Sequence, residues 1–206
     1  MIQGNKDLAY NNIVLEDNKL SIHVNGKCGC TSVKRMLLDD MGMWVAKEID
    51  EECGLIYWEP SSISIDWAHL FVVRDPWDRL ESCYADKLHH HFAKAFLKFN
   101  FFQKMPFEEF IEDVCEVDDK DADRHFRSQT YTWSDDLLNA PHSFIFQLED
   151  PESWQGILDE LEQICGIKLL NLPHLHSRKH SEIVDNPRLR GLVRDRYSRD
   201  YQLLGY

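Results

Sequence analysis

The chain has no run approaching the roughly 18 consecutive apolar residues of a membrane span. Nor does Met1 to Asn12 show the basic-then-apolar order of a secretory leader. Both absences predict a cytoplasmic protein without stable membrane insertion. An excess of cations is missing too: 23 Lys and Arg face 36 Asp and Glu, for a formal charge of −13. Binding to nucleic acid or anionic lipid rests on clustered Lys and Arg, so nucleic acid is not expected as a partner. A small or neutral ligand fits this field better than a long polyanion. The acids crowd Glu112, Asp113, Glu116, Asp118, Asp119, Asp121 and Asp123, a pattern of a solvated face. Six cysteines (Cys28, Cys30, Cys53, Cys83, Cys115, Cys165) lack the paired spacings of a zinc ribbon, and a chain this long needs no disulfide staples. Thiols are expected and a metal is not, although Cys28 and Cys30 form a C-x-C. No internal repeat or low-complexity linker divides the 206 residues, of which 43% are hydrophobic, so one domain spanning 1–206 is expected.

Also missing is the triphosphatase loop G-x-x-x-x-G-K-[ST]. In its usual place, between an apolar run (Leu20, Ile22, Val24) and a helical pattern (Val33, Met36, Leu37, Met41, Trp44, Val45) ending near Glu51, stands Lys27-Cys28-Gly29-Cys30-Thr31-Ser32-Val33-Lys34-Arg35. A strand that turns through Gly26 and Gly29 into a helix aims backbone N–H groups and the positive end of the helix dipole at one point, where an anion belongs. Lys27 comes before Gly29, so its amine would reach a ligand from the strand side, which disfavours an ATPase or GTPase. Thr31 and Ser32 offer hydroxyl donors or plain helix caps. A solvated turn is the simpler alternative for Lys27.

Two further strand-to-helix units follow. Leu70 to Val73 reads as a buried strand, with Asp75 capping a helix whose first residue is Pro76. Phe144 to Phe146 precedes a helix with Trp154, Ile157, Leu158, Leu161 and Ile164, stopped by Gly166. Three such units in series predict an α/β fold, a central parallel sheet flanked by helices, with ligands beyond the carboxyl ends of the strands. Tyr84 to Ser134 reads as a mostly helical insertion. Its phenylalanines (Phe92, Phe96, Phe99, Phe101, Phe102) are expected in core before pocket. A last helix starts at Asn186-Pro187, with Leu189, Leu192, Val193, Tyr197 and Tyr201 on one face.

Arg74 stands at a strand terminus and Ser82 two helical turns later, an Arg and a Ser eight residues apart behind an apolar strand. That segment resembles the 3′-phosphate motif of sulfotransferases, and the Lys27 to Arg35 loop resembles their 5′-phosphosulfate loop, especially in the carbohydrate (family 2) branch. Asp123 to Gln129 is similar to that branch's His-aromatic-Arg-x-Gln segment. Tyr197 to Tyr206 is similar to its Tyr-x-x-Asp-Tyr…Gly-Tyr ending. The likeness runs from about Ile22 to the last residue. It departs where Val33 replaces a common Trp and where cysteines beyond the His segment are missing, and no luminal anchor is expected ahead of the domain.

The resemblance implies a P-loop NTPase-like sulfotransferase fold, 3′-phosphoadenosine 5′-phosphosulfate as donor, no metal, and in-line transfer to a hydroxyl or amine of a carbohydrate or small-molecule acceptor. Lys27 with Gly29, Cys30, Thr31 and Ser32 would hold the phosphosulfate, where charge develops on the bridging oxygen. Arg74, whose planar fork binds two oxygens at once, and Ser82 would hold the 3′-phosphate. Arg178 and Lys179 resemble the late loop over the donor's adenosine and 3′-phosphate, with an ordinary basic turn as the alternative. His125 is the expected base, with a Glu as the alternative base and a structural or surface His as its simpler reading. Of Arg35, Arg79 and Arg127, which could simply pair with acids, Arg127 is the candidate for acceptor contact. His89, His90 and His91 read as exposed polar residues, with contact to an acceptor as the alternative. A P-loop kinase and a non-enzymatic nucleotide-binding module are the competing classes.

Overall fold

Leu20-Ser21-Ile22-His23-Val24 alternates apolar and polar residues, and the two faces of the strand it forms differ accordingly. A computed structural model describes residues 12–40, 63–90, 92–169 and 186–206. These fall into two compact units. The first holds the described residues up to Val73 and from Thr132 to Leu169, and the second holds Arg74–Tyr131 and the stretch from Asn186 onward.

In the first unit β1 (Asn12–Leu15), β2 (Leu20–Val24), β3 (Ala68–Val73) and β4 (Ser143–Gln147) form one sheet in the order β1-β2-β3-β4. β2, β3 and β4 run parallel, as expected, with Ile22 beside Leu70 and Leu70 beside Phe144. β1 was not expected. It pairs antiparallel with β2, Asn12 opposite His23 and Leu15 opposite Leu20, through the short 3₁₀ turn Glu16–Asn18 and Lys19 at φ 52°. Two apolar runs separated by Glu16-Asp17-Asn18-Lys19 are a hairpin signal, but four residues are too few to announce a strand by alternation alone.

One sheet face carries Leu20, Ile22, Val24, Leu70 and Val72. It packs against Val33, Met36 and Leu37 of α1 (Cys30–Asp40) and Trp154, Leu158 and Leu161 of the helix at Ser153–Cys165. That helix ends where Gly166 takes φ 65°, the left-handed turn glycine allows at no cost. Ile164, expected on its apolar face, is exposed.

The other face is buried and polar. His23 accepts or donates at both ring nitrogens, Nδ1 to Asn12 Oδ1 at 2.7 Å and Nε2 to Ser21 Oγ at 2.9 Å, and the same hydroxyl meets His69 Nδ1 at 2.6 Å. Phe71 stacks on His23 at 4.4 Å, and Trp133 meets Phe71 edge-on. Burial lowers the His23 pKa to about 3, with nearby His69 adding to the effect, and burial also lowers that of His69. His69 Nε2 lacks a hydrogen bond of good geometry, although the Ile65 and Ser64 carbonyls lie near enough to oppose the shift.

The pairs predict an acid-sensitive fold. The unfolded chain takes up a proton at His23 below about pH 6.5, and the folded chain refuses it down to about 3. Protons bind the unfolded state preferentially throughout that window, so stability is complete above pH 6.5 and falls as pH drops. Urea denaturation at pH 7.5 and pH 5 is expected to differ by on the order of 2 kcal/mol from His23 alone. His23→Phe should flatten that slope, and an unchanged slope would place the proton uptake elsewhere.

The second unit begins with α2 (Pro76–Tyr84). Asp75 caps it as expected, accepting from Asp78 N at 3.1 Å, with Pro76 in the first turn. A π-helical turn (Ala85–His90), a 3₁₀ turn (Lys94–Phe99) and α3 (Phe107–Glu116) follow. The insertion is therefore less regular than expected, and residues 117–128 form turns. The 3₁₀ turn Gln129–Thr132 leads back to the first unit, where α4 (Asp135–Leu138), β4 and α5 (Ser153–Cys165) lie. Two helices close the chain, α6 (Pro187–Arg196) and α7 (Ser198–Leu204). The single terminal helix expected from its apolar face breaks at Tyr197, where φ is −106° and ψ 27°. Trp77, Leu80, Phe96, Phe101, Phe110, Phe126, Leu189, Val193 and Tyr197 form this unit's core, while Phe102 is exposed. No helix among the described residues is long and apolar enough to cross a membrane.

Candidate functional site

In the first unit the chain leaves β2 at Val24 and turns through residues 26–29 into α1. Cys28 N–H donates to Asn25 O at 3.2 Å, and Val33 N–H to Gly29 O at 3.0 Å. The intrahelical ladder starts at Val33, so the N–H groups of Cys30, Thr31 and Ser32 belong to the first turn, where the helix supplies no acceptor. Lys27 and Gly29 both adopt left-handed backbone, φ 69° and 74°. For glycine this is free, and for lysine it costs about 1–2 kcal/mol. A Cβ at Gly29 would sit 3.2 Å from Leu148 Cδ2, so a side chain here would be strained by the backbone and would need the Leu148 tip to give by a few tenths of an ångström. Cys28 is part of the core, which removes half of the C-x-C from any ligand. Ser32 is buried, Thr31 exposed, and Lys27, Cys30 and Arg35 are half-buried.

In the second unit Arg74, the residue after β3, is half-buried. Its main chain pairs with the Gln129 side chain, Arg74 N–H donating to Oε1 at 3.0 Å and Nε2 donating to Arg74 O at 2.7 Å. Ser82 is half-buried on α2. Nearby, Glu81 accepts from Trp77 Nε1 at 2.5 Å. Burial raises its pKa, the Trp77 hydrogen bond, Arg190 and Arg74 opposing. Arg190, unremarked in the sequence, stacks 4.5 Å over Trp77.

His125 sits in the turns after α3, its ring edge-on to Phe96. Its Nδ1 lies 2.6 Å from Asp123 Oδ1, which also accepts from His125 N–H at 3.0 Å. Burial lowers the His125 pKa, with Asp123 pulling the other way. The ring is thus neutral at pH 7. A proton on Nδ1, held by the carboxylate, leaves Nε2 as the basic nitrogen. Asp123 is a partner that spacing alone did not reveal, although it opens the recognised segment.

Arg79 and Arg127 both bind main-chain carbonyls. Arg79 is buried and donates to the carbonyls of Arg127 (2.6 Å) and Arg124 (2.9 Å). Arg127 donates to Asp119 O at 2.8 Å and Ala122 O at 2.6 Å and lies over Tyr131. From the C-terminal helices, Asp200 accepts from Gln129 N–H, Thr130 N–H and Thr130 Oγ1 at 2.7–2.9 Å, and Tyr197 Oη donates to Phe126 O. Arg196 binds Asp119 and Ser128. The Tyr-x-x-Asp ending thereby clamps the His-Phe-Arg-x-Gln segment. Both segments are visible as patterns in the sequence, and their partnership is not.

His89 is exposed beside Tyr84. His91, the His90 side chain, Arg178 and Lys179 lie outside the described residues. Among the described residues no group of three or more His, Cys, Asp or Glu is disposed to hold a metal ion.

No curated protein and no solved structure matches the chain. The model of the Sulfotransferase family matches residues 10–206, a span holding the Lys27 loop, Arg74, the Asp123–His125 pair and the clamped C-terminal segment. The chain therefore belongs to the sulfotransferase family, of the family 2 type, whose members transfer sulfuryl groups.

Proposed function

We propose that this chain moves a sulfuryl group from 3′-phosphoadenosine 5′-phosphosulfate to a hydroxyl or amine of a carbohydrate or small-molecule acceptor. The observation that carries the proposal is Lys27 in strained backbone at the N-terminal end of α1. Strain of this kind persists where surrounding structure over-determines it, and it clusters at functional sites. The loop suits an anionic phosphosulfate: first-turn N–H groups, the positive end of a helix dipole and an amine.

The donor supplies the activated sulfuryl group, and the chain's residues supply binding and proton management. Lys27 and the N–H groups of Gly29 to Ser32 face the charge that grows on the leaving oxygen. Arg74 and Ser82 bind the 3′-phosphate, and Arg178 and Lys179 add cationic groups for the donor. His125 takes the acceptor's proton on Nε2 while Asp123 holds the ring. Arg127 steadies that segment at the acceptor side.

Calorimetric titration of the full chain with 3′-phosphoadenosine 5′-phosphate tests the donor directly. Saturable binding without Mg²⁺ is expected. Absence of binding, or a preference for ATP with Mg²⁺, would sink the proposal and favour a kinase.

A further inference from the structure

We infer that Gln129 and Asp200 are positioning residues for the donor's 3′-phosphate, acting through the main chain of Arg74; the inference rests on the donor proposed above. The last β3 residue in register with a neighbouring strand is Val73, opposite Gln147. Arg74, one residue on, has its N–H and its carbonyl both engaged by the one Gln129 amide, at 3.0 and 2.7 Å. Gln129 is fully buried. Its side chain does for the Arg74 main chain what a strand neighbour would, tying down the residue that carries the guanidinium.

Gln129 is in turn held by a buried carboxylate. Asp200 Oδ2 accepts from Gln129 N–H at 2.8 Å, and Oδ1 accepts from Thr130 N–H at 2.9 Å and Thr130 Oγ1 at 2.7 Å. Asp200 is fully buried, and a carboxylate is tolerated there only when hydrogen-bonded in this way. The chemistry at position 129 is specific. A carboxylate could accept from Arg74 N–H, but it could not donate to Arg74 O and would stand near Asp200. An amide satisfies both main-chain groups at once. A small displacement of a binding cation costs up to about a hundredfold when geometry is tight, so the effect should appear in recognition of the 3′-phosphate.

Comparing affinities for 3′-phosphoadenosine 5′-phosphate and for AMP, which lacks the 3′-phosphate, isolates this step. Wild type is expected to prefer the former. Gln129→Glu should shrink the preference by about tenfold or more, leaving AMP affinity within about twofold. Thr130→Val, which removes one hydrogen bond to Asp200 and keeps the residue's shape, should shrink it in the same direction by a smaller factor, and it decides the matter if Gln129→Glu does not fold. A wild type without preference overturns the donor proposal itself. A discriminating wild type with equally discriminating variants overturns this inference alone, as does a parallel loss of AMP affinity, which would mark a general structural role.

Discussion

Lys27→Ala is expected to lower kcat by about 10²–10³-fold, the loss measured when one donor to a developing negative charge is removed. Alanine retains a Cβ at φ 69° and so carries the same backbone strain as lysine. Thermal stability should therefore change little while turnover collapses. Lys27→Gly sharpens the test, because glycine relieves about 1–2 kcal/mol of left-handed strain. This variant should melt higher than wild type and still be inactive, as expected where function is maintained against stability. Turnover surviving in both, measured as transfer from labelled donor across a panel of sugars, phenols and amines, would show that the amine takes no part.

His125→Ala should lower kcat by about 10²–10⁴-fold, the usual contribution of a general base. Asp123→Asn tells more about how the ring works. Asp123 raises the His125 pKa against the burial that lowers it, and it holds the proton on Nδ1. Since His125 must be neutral to accept a proton, the wild-type rate should be flat at neutral pH and fall only on an acidic limb below about 6.5. Losing the carboxylate removes the raising influence, so that limb should move to lower pH while the plateau drops. A plateau that drops with an unmoved limb would assign the titration to another group.

Much of this arrangement was legible in the residues. The parallel strands at Leu20, Leu70 and Phe144, the Asp75 cap and the Gly166 stop follow from local rules, hydrophobic alternation and turn chemistry acting within a few residues. β1 escaped because four residues hold too short a period. The contacts of the buried Arg79 guanidinium with two carbonyls of a distant turn were not legible either, because they join residues 45 and 48 positions apart.

The candidates came from sequence alone: order along a strand-loop-helix unit points to Lys27 and Gly29 at a helix end, and the sulfotransferase resemblance adds Arg74, Ser82 and His125 to the proposed chemistry. Tertiary structure alone decided which of them are held, and by what. The Gln129 amide reaches Arg74 across 55 residues, and the Asp200 carboxylate reaches Gln129 across 71. No local period or spacing encodes such pairings. Burial forces each polar group to find a partner, and only the folded chain determines which one is within reach.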